Sequence, residues 1–219
     1  MRSKADAPVD TMGCTELYSG KATAVEKRFQ ILISLLMSSQ TKDEVNAGAM
    51  KRLNEHFKSF SAEDAATANE SLLSELITPV GFHKTKSKNI VKVGAICRDQ
   101  YGGDIPDTIE NLVKLPGIGP KMGYLALSCA WGKNDGIGVD VHVHRICQRL
   151  CFTKKPKDPE ATRAQLESWL PKDKWQEINK LLVGFGQQIC SAKAPQCSNC
   201  LNNAICPKNF SGEKNSPKK

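Results

Sequence analysis

Asp107-Thr-Ile-Glu-Asn-Leu-Val-Lys-Leu-Pro-Gly-Ile-Gly-Pro-Lys-Met-Gly-Tyr-Leu-Ala-Leu-Ser-Cys-Ala-Trp131 is the stretch on which the reading of the fold turns. Asp107, with Glu110 three residues on, has the pattern of a capping box opening a helix that runs to Leu115. Pro120 sits where a first helical residue needs no N–H, and apolar positions spaced at three and four carry a second helix to Trp131. Between them, Leu115 to Lys121 forms a hairpin whose glycines, Gly117 and Gly119, let the backbone approach something closely. Amides at the start of the second helix lack intrahelical partners and lie at the positive end of its dipole, so the hairpin suits an anion. The plainer alternative is a tight helix–helix turn with a glycine cap. A formal net charge of +8 makes nucleic-acid phosphate the most economical anion, contacted without reading sequence.

Lys121 falls in the first turn of the second helix, where the dipole disfavours a cation. That effect, about 0.3 to 1 kcal/mol, is worth less than one pKa unit, and a neutral amine at physiological pH needs about three. A nucleophilic Lys121 therefore also requires desolvation or a neighbouring cation. The simpler reading is a lysine that touches phosphate.

Outward from the hairpin the pattern is helical throughout, with no strand and no repeat, so an all-α protein is expected. Helices are expected over Val25 to Ser38, Asp43 to Phe57, Ser61 to Ala66, Glu70 to Leu76 and Ser87 to Tyr101, with a loop from Pro79 to Lys84. Asp140 reads as the N-cap of Val141 to Cys151, Asp158-Pro159 as the start of a helix to Leu170, and Asp173 as the cap of Lys174 to Val183. The glycine-rich break at 132–138 is the candidate boundary between two helical domains. The 219 residues are 40% hydrophobic and 25% charged, which excludes collagen-like repeats and wholesale disorder. The most apolar stretch, Ile31 to Met37, is far shorter than the roughly 20 residues of a membrane span. The polar segment Met1 to Thr23 has no secretory pattern.

Nine cysteines without an export signal point to metal rather than to disulfides. Cys190, Cys197, Cys200 and Cys206 are separated by six, two and five residues, enough thiolates to close one metal centre. Structural zinc usually takes two short pairs and this spacing has one, so a cubane iron–sulfur cluster is favoured over zinc, with both left open. With all four positions supplied by protein, the role is structural. Cys14, Cys97, Cys129, Cys147 and Cys151 read as packing or incidental residues.

These residues together resemble the endonuclease III family of helix-hairpin-helix DNA glycosylase/AP lyases, in its eukaryotic branch. The motifs that carry the resemblance run in order from about Ala22 to Cys206. They are Leu36-Met-Ser-Ser-Gln-Thr-Lys-Asp43, Pro79-Val-Gly-Phe82, Leu115-Pro-Gly-Ile-Gly-Pro-Lys121, Val139-Asp-Val-His142, Gly184-Phe-Gly186 and the cysteine spacing. The resemblance implies two helical domains: a six-helix bundle over 24–134 carrying the hairpin at 107–131, and a [4Fe-4S] domain over 135–206 joined by the N-terminal segment 1–23. DNA would bind across the cleft between them, and 207–219 would be a basic disordered tail. It implies catalysis by Lys121, whose amine attacks C1′ of a flipped-out damaged nucleotide, and by Asp140, which also serves as a helix cap. Gln40 is implied to fill the gap left by the extruded base, and Phe82-His83 to wedge into the duplex. For Phe82 the alternative is core packing. His142 matches a family position and reads as a positioning or packing residue, and Lys193 is implied as a phosphate contact, in a loop with one basic residue where bacterial relatives often have several. His144 is unassigned.

The activity implied is removal of oxidised pyrimidines from duplex DNA, followed by β-elimination at the abasic site. Lys121 argues against the related adenine glycosylase, which lacks a lysine there, and the cysteine cluster argues against an 8-oxoguanine glycosylase. A non-catalytic hairpin DNA-binding module is the alternative from another class. The resemblance implies a monomer working in the nucleus, with mitochondria as a second compartment.

Overall fold

The computed structural model of the chain describes residues 7–14 and 16–210, and every regular element among them is helical. The helices are α1 (Pro8–Thr11), α2 (Ala24–Ser38), α3 (Asp43–His56), α4 (Ala62–Thr67), α5 (Glu70–Ile77), α6 (His83–Tyr101), α7 (Ile109–Leu112) and α8 (Pro120–Trp131), followed by α9 (Val141–Arg149), α10 (Pro159–Glu167) and α11 (Trp175–Gln188). Among the described residues no helix is long and apolar enough to cross a membrane. The chain divides into two compact units, one of residues 12–135 and one of residues 7–11 with 136–210.

In the first unit α2 is buried on all sides from Phe29 to Met37. Such a helix must satisfy its polar side chains internally. The Gln30 carbonyl accepts from the Ser19 amide at 2.7 Å while its amide donates to the Phe60 carbonyl at 3.1 Å, and Asn46 donates to the Ser34 carbonyl at 3.1 Å. Thr23 and Glu26 cap the helix reciprocally, and the amide of Thr23 holds the Glu26 carboxyl below its ordinary range. α6 lies against α4, and the contact depends on Gly94: a Cβ there would stand 2.6 Å from Ala65 Cβ and 2.7 Å from the Ala66 amide nitrogen.

In the second unit α9 packs on α10 and α11 over a core that includes Ile137, Val143, Ile146, Leu166 and Phe185. Asp158 caps α10 by accepting from the Ala161 amide at 2.7 Å. α1 packs on α11, with the Val9 amide donating to Gln187 at 3.1 Å.

Five sequence expectations are corrected, among them the start of α6, which lies at His83 within the expected loop Pro79 to Lys84 and not at Ser87. Asp107 does not cap α7, whose N-cap is Thr108; its carboxylate pairs instead with Lys133 at 2.7 Å, which holds it below the ordinary carboxylate range. Asp173 does not cap α11 either, because it lies within a 3-10 turn, Lys172–Lys174. Residues 12–23 belong with the bundle, since Cys14, Leu17 and Tyr18 pack on its core. The tail does not begin at Pro207: the Asn209 amide donates to the Arg149 carbonyl at 3.2 Å and the Phe210 ring lies 5.0 Å from the Arg149 guanidinium, while 211–219 lie outside the described residues.

Candidate functional site

The hairpin joins α7 to α8. Gly117 adopts φ +82°, a conformation that favours glycine, and a Cβ there would meet Asn89 Nδ2 at 2.7 Å. Gly119 is the N-cap of α8 and differs in kind: nothing lies within 4 Å of where its Cβ would be, so this side of the hairpin is open to a close-approaching backbone. Gly123, one turn on, lets α7 close against α8, because a Cβ would stand 2.6 Å from Ile109 Cδ1. The first amide to bond back within α8 is that of Gly123, to the Gly119 carbonyl. The amides of Lys121 and Met122 precede it, as the N-terminal geometry of a helix requires. Lys121 is half-buried, and its charge acts on the buried thiol of Cys14, which burial pushes up and Lys121 draws down. Cys14 thus lies within electrostatic reach of Lys121, although its position in sequence held no hint of it.

Two further loops of the same unit carry the residues proposed to enter the duplex. Gln40 follows α2 and is exposed with φ +50°; Phe82 precedes α6 and is 63% exposed with φ +58°. Phe82 is therefore not a core residue. His83, its neighbour, turns back onto α5, with Nδ1 2.9 Å from Ser74 Oγ, while Phe82 projects. Between the loops lies Lys86, 5% exposed, whose ammonium donates to the carbonyls of Met37 at 2.7 Å and Ser39 at 2.6 Å and to Thr41 Oγ1 at 3.2 Å. Burial pushes it down to about 8.

In the other unit Asp140 caps α9, its Oδ1 accepting from the amides of His142 at 2.9 Å and Val143 at 2.8 Å. Val141, beside it, is 70% exposed. His142 Nδ1 lies 3.3 Å from Arg145 Nη2, which also donates to the Cys190 carbonyl at 2.8 Å. Gly186 makes room for this: a Cβ there would stand 2.6 Å from His142 Nδ1. His144 is engaged with Thr162 Oγ1 at 2.6 Å, and burial draws its pKa down.

Cys190, Cys197, Cys200 and Cys206 all line one pocket. Arg149, 1% exposed, organises its wall by donating to the carbonyls of Ser191 at 2.7 Å and Ala192 at 2.9 Å and to Cys190 Sγ at 3.3 Å. Burial raises the Cys190 thiol while Arg149 and Arg145 draw it down. Among the described residues no three His, Cys, Asp or Glu side chains converge on a single metal-ion position. Four cysteines on one pocket with a guanidinium on one sulfur is a donor set suited to a thiolate-held metal centre. Lys193 is exposed at the tip of the 191–196 loop.

Residues 33–172 match the model of the HhH-GPD superfamily base excision DNA repair proteins. The chain belongs to this superfamily. Over 208 residues it is 51% identical to the mouse endonuclease III-like protein 1, covering 94% of this chain and 69% of the mouse protein. The fission yeast endonuclease III homolog is 47% identical over 216 residues, covering 96% of this chain and 59% of that protein. A solved trapped endonuclease III–DNA covalent intermediate superposes with a TM-score of 0.77 at 30% identity, over 83% of this chain and 84% of that one. Within the HhH-GPD superfamily the chain is a DNA glycosylase/AP lyase of base excision repair. Motif reading singled out the hairpin, Asp140 and the cysteines. It did not reach Lys86, Arg145 or Arg149, because a lone lysine or arginine on a helix reads as surface until its acceptors, contributed by distant segments, are known.

Proposed function

We propose that this glycosylase/AP lyase acts on duplex DNA carrying an oxidised pyrimidine of the thymine glycol type or an abasic site, with Lys121 as nucleophile. The observation that carries the reading is an amine in the first turn of α8 beside Gly119, whose outer side is open to a DNA backbone. Deprotonated Nζ attacks C1′; the N-glycosidic bond breaks and the base leaves with the electron pair, taking up a proton. Nζ gives up a proton, the C1′–O4′ bond breaks with its electron pair going to O4′, which takes up a proton, and a protonated Schiff base is left between Nζ and C1′. Loss of a C2′ proton then expels the 3′ phosphate oxygen, and water releases the lysine. The Asp140 carboxylate assists these proton transfers and stabilises charge at the sugar.

Amides around Gly117 and Gly119 hold a phosphate, and Lys193 adds a backbone contact. Gln40 occupies the space of the extruded base and Phe82 wedges the stack, a reading consistent with the estranged adenine of the similar endonuclease III complex. His142 positions the start of α9, while His83, tied to Ser74, backs the wedge. Cys190, Cys197, Cys200 and Cys206 would hold a [4Fe-4S] cluster as a closed structural centre. The enzyme acts as a monomer in the nucleus, with mitochondria a second site.

Borohydride trapping tests the central step. Incubation with a duplex containing one thymine glycol, followed by reductant, is expected to give a covalent adduct that maps to Lys121, and Lys121→Gln is expected to abolish it while retaining DNA binding. An adduct at another residue, or binding lost together with cutting, overturns Lys121 as nucleophile.

A further inference from the structure

Lys86 touches both loops flanking the proposed duplex insertion, and the two loops also meet directly. Its ammonium has three protons and three oxygen acceptors within 3.2 Å. Two of those acceptors, the carbonyls of Met37 and Ser39, belong to the C-terminal end of α2, where carbonyls lack intrahelical partners and a cation is favourable. The third, Thr41 Oγ1, also accepts from the Gly81 amide at 3.2 Å and donates to the Ser39 carbonyl at 3.1 Å. Gly81 lies directly against the first loop: a Cβ there would stand 2.5 Å from the Gln40 carbonyl oxygen. Lys86 itself sits in the first turn of α6, four residues after Phe82, and its amide donates to the Phe82 carbonyl at 3.0 Å. Gln40 and Phe82 are both held in the left-handed region with their side chains exposed, a conformation that non-glycine residues keep only when the surroundings impose it.

We infer that Lys86 is a positioning residue that locks the Gln40 loop and the Phe82 loop into one rigid element, so that gap-filling and wedging enter the duplex as a single unit with a set spacing. The inference rests on the reading that Gln40 and Phe82 engage the duplex. Its chemistry requires an ammonium with three donors. A methionine of similar length fills the space but leaves the Met37 and Ser39 carbonyls and the Thr41 hydroxyl without that partner. An arginine cannot present three tetrahedrally arranged protons to them.

The test uses the full chain, a duplex with a tetrahydrofuran abasic analogue opposite 2-aminopurine, and matched abasic substrates in duplex and single-stranded form. The fluorescence of 2-aminopurine reports unstacking of the base opposite the lesion, and single-stranded DNA has no opposite base to displace. Lys86→Met is expected to reduce the fluorescence gain at least threefold and the duplex-to-single-strand ratio of kcat/KM for strand cutting about tenfold. Thr41→Val, a smaller change that removes the link to Gly81, is expected to shift both in the same direction and decides the matter if Lys86→Met does not fold. Gln40→Ala is the control on the underlying reading. If Gln40→Ala lowers the fluorescence gain and the folded Lys86 and Thr41 variants do not, the clamp is wrong. Should cutting fall equally on both substrates, Lys86 is only structural. An unchanged signal with Gln40→Ala means the loops do not engage the opposite base, and the inference falls with that reading.

Discussion

Replacing Asp140 separates two roles that one carboxylate combines. Its Oδ1 accepts from two amides at 2.9 and 2.8 Å at the start of a nine-residue helix that also carries His142, Arg145 and Arg149. Asp140→Ala removes both bonds and the charge at the positive end of the helix, at a cost of about 1.5–2 kcal/mol. For a chain of this size that lowers Tm by roughly 3–8 °C. Asp140→Asn keeps an oxygen at the same place, and asparagine caps about as well as aspartate. It forfeits only the charge–dipole part, about 0.3–1 kcal/mol, or about 1–4 °C. Strand cutting should respond differently, because an amide can neither take nor return a proton. A loss on the order of 10²–10⁴ is expected for both variants. Thermal melting, single-turnover cutting of an abasic duplex and anisotropy binding to the uncut tetrahydrofuran duplex measure the three quantities. An Asn variant that cuts at the wild-type rate refutes carboxylate chemistry at Asp140, and one that melts with the Ala variant refutes the capping geometry.

Further outcomes are expected elsewhere. Gly94→Ala drives a methyl into the α4 backbone and should destabilise by about 1–3 kcal/mol, measured by urea unfolding, since the contacting atoms include main chain that cannot rotate away. Lys86 titrates at about 8 in the fold against an ordinary 10.5, so the unfolded chain binds more protons between those values and stability rises with pH across that window. The urea midpoint of the natural chain relative to Lys86→Met should therefore rise between pH 7.5 and 9.5, and a flat difference refutes the lowered pKa and means that the three acceptors offset the burial. Cys200→Ser should lower bound iron and acid-labile sulfide together and loosen the 191–196 loop, whereas retained stoichiometric zinc with no sulfide would reject the iron–sulfur assignment.

Local chemistry made much of this molecule legible in advance. α8 begins at Pro120 and ends at Trp131 as expected, because proline at the first helical position and Gly132 at φ +66° are both local signals. Asp140 and Asp158 cap their helices for the same reason. The same logic failed at Asp107, where Lys133, 26 residues away, offers a stronger partner than an amide. It also failed between residues 83 and 86, where α6 begins at His83, before the Ser87 start expected from periodicity. An apolar spacing or a cap motif speaks for residues within a turn or two of itself, so the all-helical class and the hairpin follow from the sequence alone. Which charges are buried does not. Lys86 and Arg149 look like surface cations until the folded chain brings them the carbonyls of Met37, Ser39, Ser191 and Ala192, more than 40 residues away. Only tertiary structure decides that, because desolvating a charge is tolerated solely where distant backbone supplies its hydrogen bonds.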